Sequence, residues 1–154
     1  MSLAALDGKA RSCMGELDDH PQAFLVMARK EFDALRGMIG NPLFADEIFG
    51  FHAQQAIEKA LKAWLAAQSI TFPRTHDISR LLDLLEETGV DVAIFWPLVE
   101  YTVLAVQARY EAHLVDIEAP LDRAAAIADV QRLLDTVVAA TEPVVVGMRK
   151  PDLL

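Results

Sequence analysis

The chain has 154 residues, 53% of them hydrophobic, and a formal net charge of −9. That length suits one domain with its own core, and no apolar run approaches the roughly 20 residues needed to span a bilayer. Cys13 is the single cysteine, which excludes an internal disulfide and a cysteine-based zinc site.

Met1 to Gly15 offers Leu3-Ala4-Ala5-Leu6 and then Asp7 and Lys9, too little for the apolar core of a signal peptide. A soluble cytoplasmic protein without membrane contact is the expectation. The acidic balance opposes sequence-independent attraction to a phosphate backbone, so any RNA contact has to be local. Charge is unevenly spread. Residues 51–80 carry Lys59, Lys62, Arg74 and Arg80 against Glu58 and Asp77, whereas residues 81–100 carry Asp83, Glu86, Glu87, Asp91 and Glu100 with no basic residue.

Residues 1–17 lack sustained periodicity and read as a loose leader. Asp18-Asp19-His20-Pro21 suits the start of a first helix, since acidic groups favour the positive helix end and proline fits its first turn. Phe24, Ala28, Phe32, Leu35 and Ile39 follow at helical spacing until Gly37, Gly40, Asn41 and Pro42 close the element. A second helix is predicted from near Ala45 to Gln68, with Ile48, Phe49, Ala53, Ala56, Ile57, Ala60, Leu61, Trp64 and Leu65 as a stripe wide enough for two neighbours. Pro73 blocks continuation, and Thr75 is the expected N-cap of a third helix whose buried face is Ile78, Leu81, Leu82 and Leu85, ending at Gly89.

Val92, Ile94, Val99, Thr102, Val103 and Val106 also suit strands. The steps of three and four through Val99, Thr102, Val103, Val106, Arg109, Tyr110 and His113 favour a fourth helix, opened or kinked by Pro97. A fifth helix is expected from near Pro120 through Ala128, Leu134 and Val138, before an extended tail over residues 143–154. Short links and no convincing strand predict an all-α fold over residues 18–142, an up-and-down four-helix bundle with one additional packed helix.

Chemistry-bearing residues fall in three places. On the second helix His52, Gln55, Lys59 and Lys62 are three, four and three residues apart and project from one face. Such a ladder can line a groove for a phosphate or a base; equally, it can be a solvated face with a Glu58–Lys62 pair. Arg109 and His113, four apart, bring guanidinium and imidazole to one side of the fourth helix. A histidine that moves a proton and an arginine that stabilises phosphorane charge suit metal-independent RNA cleavage to a 2′,3′-cyclic phosphate. An Arg109 paired with an acidic neighbour and a helix-capping His113 is the plainer alternative. His76 either joins Arg74 and helix amides around an anion or is a packed first-turn residue behind Thr75. The four histidines form no His-Glu-x-x-His motif, and neither a metal nor another cofactor is indicated.

The block Phe51 to Asp77, FHAQQAIEKALKAWLAAQSITFPRTHD, together with Ala108-Arg109-Tyr110, resembles the HEPN family of small helical domains associated with nucleotide or RNA chemistry. The resemblance covers roughly residues 20–140. It implies the same helical architecture, a homodimer, and a minimal nucleotidyltransferase as companion in a toxin–antitoxin type pair. Ribonuclease members carry an Arg and a His with a longer gap and a polar residue directly after the Arg. Here three residues separate Arg109 from His113 and Tyr110 follows the Arg, which matches the family's Arg-Tyr branch. The resemblance therefore implies a module that binds a nucleotide, RNA or that partner, with His52, Gln55, Lys59, Lys62, Arg74, His76 and Tyr110 as the binding candidates. The alternatives are an endoribonuclease toxin using Arg109 and His113, and a structural helical interaction protein.

Overall fold

A computed structural model describes the backbone of residues 20–110 and 120–142, and the side chains of these except 107–110. The described residues form five α-helices, α1 (Pro21–Met38), α2 (Asp46–Ala67), α3 (Ile78–Glu87), α4 (Glu100–Tyr110) and α5 (Arg123–Thr141), with a 3-10 segment over Ala93–Val99 ahead of α4. No strand occurs among the described residues. The expected leader, residues 1–17, the expected tail, residues 143–154, and His113 lie outside them.

The fold is organised on α2, which packs against α1, α3, α4 and α5, while α5 also touches α1. This follows from the width of its apolar stripe. Phe49, Ala53, Ala56, Ile57, Ala60, Leu61, Ala63 and Leu65 have no exposure at all, and small residues on several sides of the helix let neighbours approach all round it. Trp64 stacks edge-on to Phe95, joining the 3-10 segment to the same core. Ile48, expected in the stripe, lies instead at its rim and is 42% exposed.

Helices α2 and α4 approach each other closely at Gly50. A methyl group there would lie 2.8 Å from the Cβ of Leu104, an atom that no rotamer change can move away. Gly50→Ala is therefore expected to lose up to about 2 kcal/mol, the overpacking cost of about 1–3 kcal/mol less the helix-propensity gain of about 1 kcal/mol. Gly37→Ala in α1 meets nothing within 4 Å, so it should keep that gain of up to about 1 kcal/mol. Urea unfolding of the two variants checks the contrast; equal midpoints would refute the close packing at Gly50.

Three element starts differ from expectation. Asp77, not Thr75, caps α3: its carboxylate accepts from the Ser79 amide at 2.9 Å and from the Ser79 hydroxyl, while Thr75 Oγ1 accepts from the Asp77 amide. The first helical residue is Ile78, which leaves Thr75 too far upstream to reach the helix's free amides. Pro97 lies inside the 3-10 segment, and α-helical bonding begins only at Glu100. Helix α5 starts at Arg123 rather than near Pro120, because Asp122 accepts from the Ala125 amide and defines the cap there. At α1, His20 is the cap, its Nδ1 accepting from the Gln22 amide at 3.3 Å, with Pro21 in the first turn as expected.

The end of α2 sets the path of the following connector. Ser69 adopts a left-handed φ of 57°, and the Ile70 amide reaches back to the Leu65 carbonyl at 2.9 Å. The chain thereby reverses and returns along α2, bringing His76 beside Gln54 and Glu58, roughly two and a half to three and a half turns upstream of the helix end.

Candidate functional site

The polar ladder of α2 is one half of a continuous hydrogen-bonded network whose other half comes from α1 and the α2–α3 connector. Glu31 on α1 accepts from Lys59 Nζ and pairs with His52 Nδ1, both at 2.7 Å. Lys59 also donates to Gln55 Oε1 at 3.1 Å, and Gln55 Nε2 donates to Gln54 Oε1 at 2.7 Å. Gln54 uses the two hydrogens of its amide on Glu58 Oε2, at 2.9 Å, and on the His76 carbonyl, at 3.0 Å. Glu58 in turn accepts from Lys62 Nζ at 2.7 Å and holds His76 Nδ1 at 3.1 Å. Every amide orientation is set by its neighbours, since each nitrogen faces acceptors and each oxygen faces a donor.

Burial divides the network into an inner and an outer part. Gln54 and Glu58 are the only polar residues in the buried class among the described residues, and the Lys59 and Lys62 side chains are 14% and 13% exposed. His76, at 67% side-chain exposure, is the outermost member, with His52 at 30%. The ladder is thus neither an open cationic groove nor a solvated face: both lysines are spent on carboxylates inside the fold. Two lysines and two glutamates balance, so the array carries no net charge while its imidazoles are neutral.

Both carboxylates are held below their ordinary pKa of 4.5. For Glu58 burial pushes upward, but hydrogen bonds from Lys62, Gln54 and His76 and the charge of Lys62 outweigh it. For Glu31 burial again pushes upward and is outweighed by Lys59 and His52. The two groups are therefore carboxylates at neutral pH and can only accept hydrogen bonds. It follows that Nδ1 of His52 and of His76 carries the proton that each carboxylate receives.

Arg74 is exposed on the connector two residues before His76. Arg109 and Tyr110 close α4, far along the chain from the ladder, and their side chains, like His113, lie outside the described residues. On α4 Val103 and Val106 are 58% and 48% exposed, whereas Tyr101 is half-buried and its hydroxyl is pushed up to about 12 by burial and by Asp129, Glu100 and Asp122. Among the described residues no group of three or more His, Cys, Asp or Glu side chains is placed to hold a metal ion. No described helix is long and apolar enough to cross a membrane.

Sequence reasoning passed over Glu31, Gln54 and Arg123. Gln54 and Glu58 did carry a signal, because they fall four apart within the apolar stripe, where a polar residue has to find an internal partner. Glu31, three residues after the buried Ala28, likewise flanks the core face of α1.

A helical domain built on one central helix, with its polar residues gathered along that helix and its following connector, is the class these features define. The chain belongs to the HEPN family: the model of the HEPN domain matches residues 22–140, well over half of its length. No curated protein and no solved structure matched the chain.

Proposed function

We propose that the chain is a dimeric, non-catalytic HEPN module that binds a nucleotide, RNA or a partner protein, with a minimal nucleotidyltransferase as the favoured partner in a toxin–antitoxin type pair. HEPN membership is consistent with nucleotide- or RNA-related work. The observation that carries the choice of a protein partner is the internal pairing of Lys59 with Glu31 and of Lys62 with Glu58. Cations already neutralised in this way offer little to a phosphate, and the charge of −9 opposes RNA further. Val103 and Val106 supply apolar surface of the kind that protein contacts cover.

The test is co-expression with a minimal nucleotidyltransferase encoded beside the gene, followed by light scattering on the eluted species. Two copies alone and a larger complex with the partner are expected. A monomer that takes up neither the partner, ATP nor an RNA oligonucleotide would overturn the proposal and leave the structural interaction protein. The endoribonuclease reading rests on the four-residue spacing of Arg109 and His113. Its signature is RNA cleavage that survives excess chelator and is lost in His113→Ala. Replacing Lys59 and Lys62 together is a poor probe of binding, because it strands two carboxylates inside the fold.

A further inference from the structure

The network raises a question that partner binding does not answer: why a carboxylate and a carboxamide are buried in α2 in order to hold one exposed residue of a connector. Gln54 fixes the His76 carbonyl and Glu58 fixes its ring, so backbone and side chain of His76 are both anchored from inside the fold. Glu58, kept ionised by Lys62 and Gln54, accepts the Nδ1 proton and leaves the lone pair of the imidazole on Nε2. The ring remains 67% exposed, so that a reagent can reach it.

The other described histidines lack this combination. His20 accepts the Gln22 amide at Nδ1, which uses the ring lone pair in capping α1 and leaves the proton on Nε2. His52 has its carboxylate partner, Glu31, but is 30% exposed and lies edge-on to Phe51. His76 alone of the three joins an oriented Nε2 lone pair to open access. A carboxylate behind an imidazole also balances the positive charge that the ring gains when its other nitrogen forms a bond.

We propose that His76 is a modification site, whose Nε2 accepts a phosphoryl group from a donor of the phosphoramidate or acyl-phosphate class. Nε2 attacks phosphorus, the N–P bond forms and the donor's bond to phosphorus breaks. With phosphoramidate the leaving group departs as ammonia after taking a proton from solvent, while the Nδ1 proton stays on its hydrogen bond to Glu58. Arg74, exposed two residues away on the same connector, is the cation offered to the incoming phosphate charge. The inner lysines stay on their carboxylates throughout.

The test is incubation of the full chain with phosphoramidate, with mass-spectrometric mapping of acid-labile phosphate and phosphorus NMR to assign the ring nitrogen. In the wild-type protein, Nε2 of His76 should be labelled ahead of His20 and His52, a comparison within one chain that needs no variant. Glu58→Gln should slow labelling of His76 about tenfold, the lower range for losing a carboxylate that orients an imidazole, with a thermal melt confirming that the variant is folded. Labelling of His20 or His52 as fast as His76, or phosphate on Nδ1 of His76, would overturn the proposal. Should Glu58→Gln unfold, the wild-type ranking and the ring-nitrogen assignment still decide it.

Discussion

Arg123→Ala is expected to lower stability by about 3 kcal/mol, the lower end for stripping one partner from a largely buried ion pair. Arg123 Nε donates to Asp46 Oδ1 at 3.0 Å, and its terminal nitrogens donate to the carbonyls of Met38, at 2.9 Å, Asn41, at 3.2 Å, and Phe44. The guanidinium also lies over the Phe49 ring, 5.2 Å from its centroid. One side chain thus satisfies carbonyls at the end of α1 and in the α1–α2 turn, joins the first residue of α2, and fastens the start of α5 to them. Asp46 takes a further bond from the Leu121 amide at 2.9 Å. The pair is 15% and 23% exposed, so water can reach the stranded groups only in part. Lysine cannot reproduce five donors in a fixed fork, so Arg123→Lys should recover less than half of the loss. Urea denaturation of the three proteins measures this, and a wild-type midpoint for Arg123→Ala would show that the clamp contributes nothing.

That clamp marks the boundary of what could be read from the chain. Helices α1, α2, α3 and α5 were legible because their apolar residues recur at steps of three and four and because Pro21, Pro73 and Gly89 punctuate them. Gly89, at φ 88°, does end α3 as expected. The exact starts were not legible, since Thr75, Asp77, Asp122 and Pro120 are all acceptable near a helix start and only the hydrogen-bonding geometry selects among them. Arg123 and Asp46 are 77 residues apart, and nothing in local pattern announces such a pair.

The ladder was legible as a set of residues on one face, and its Glu58–Lys62 pair was foreseen. Its partners were not, because Glu31 is 28 residues from Lys59 and His76 is 18 from Glu58. Spacing along a helix shows which side chains share a face, but not whether that face meets water or another element. Here it meets α1 and the returning connector, which turns apparent surface cations into internal counter-ions. A polar network satisfied in full specifies one packing arrangement, since any slip of α1 along α2 would break several bonds together.

Glu58→Ala should show the largest single effect within that network, about 3–5 kcal/mol at pH 7, the range for removing one partner of a buried pair. The substitution leaves Lys62 without its carboxylate, Gln54 with one acceptor fewer and the His76 ring unanchored. The pH dependence has a definite sign. The pKa of Glu58 is lower in the folded protein than its ordinary 4.5, so the unfolded chain binds more protons in this range and stability rises with pH. The contribution is complete above about pH 4.5 and is lost as the pH falls through the depressed folded value; Glu31 acts in the same sense. Wild type should therefore lose stability steeply below about pH 4.5, and Glu58→Ala, lacking the group, should lose it less steeply. The two unfolding curves converge as the pH falls. Urea unfolding at intervals from pH 7 to pH 3 tests this, and parallel curves across that range would mean that Glu58 is not held as a carboxylate by its neighbours.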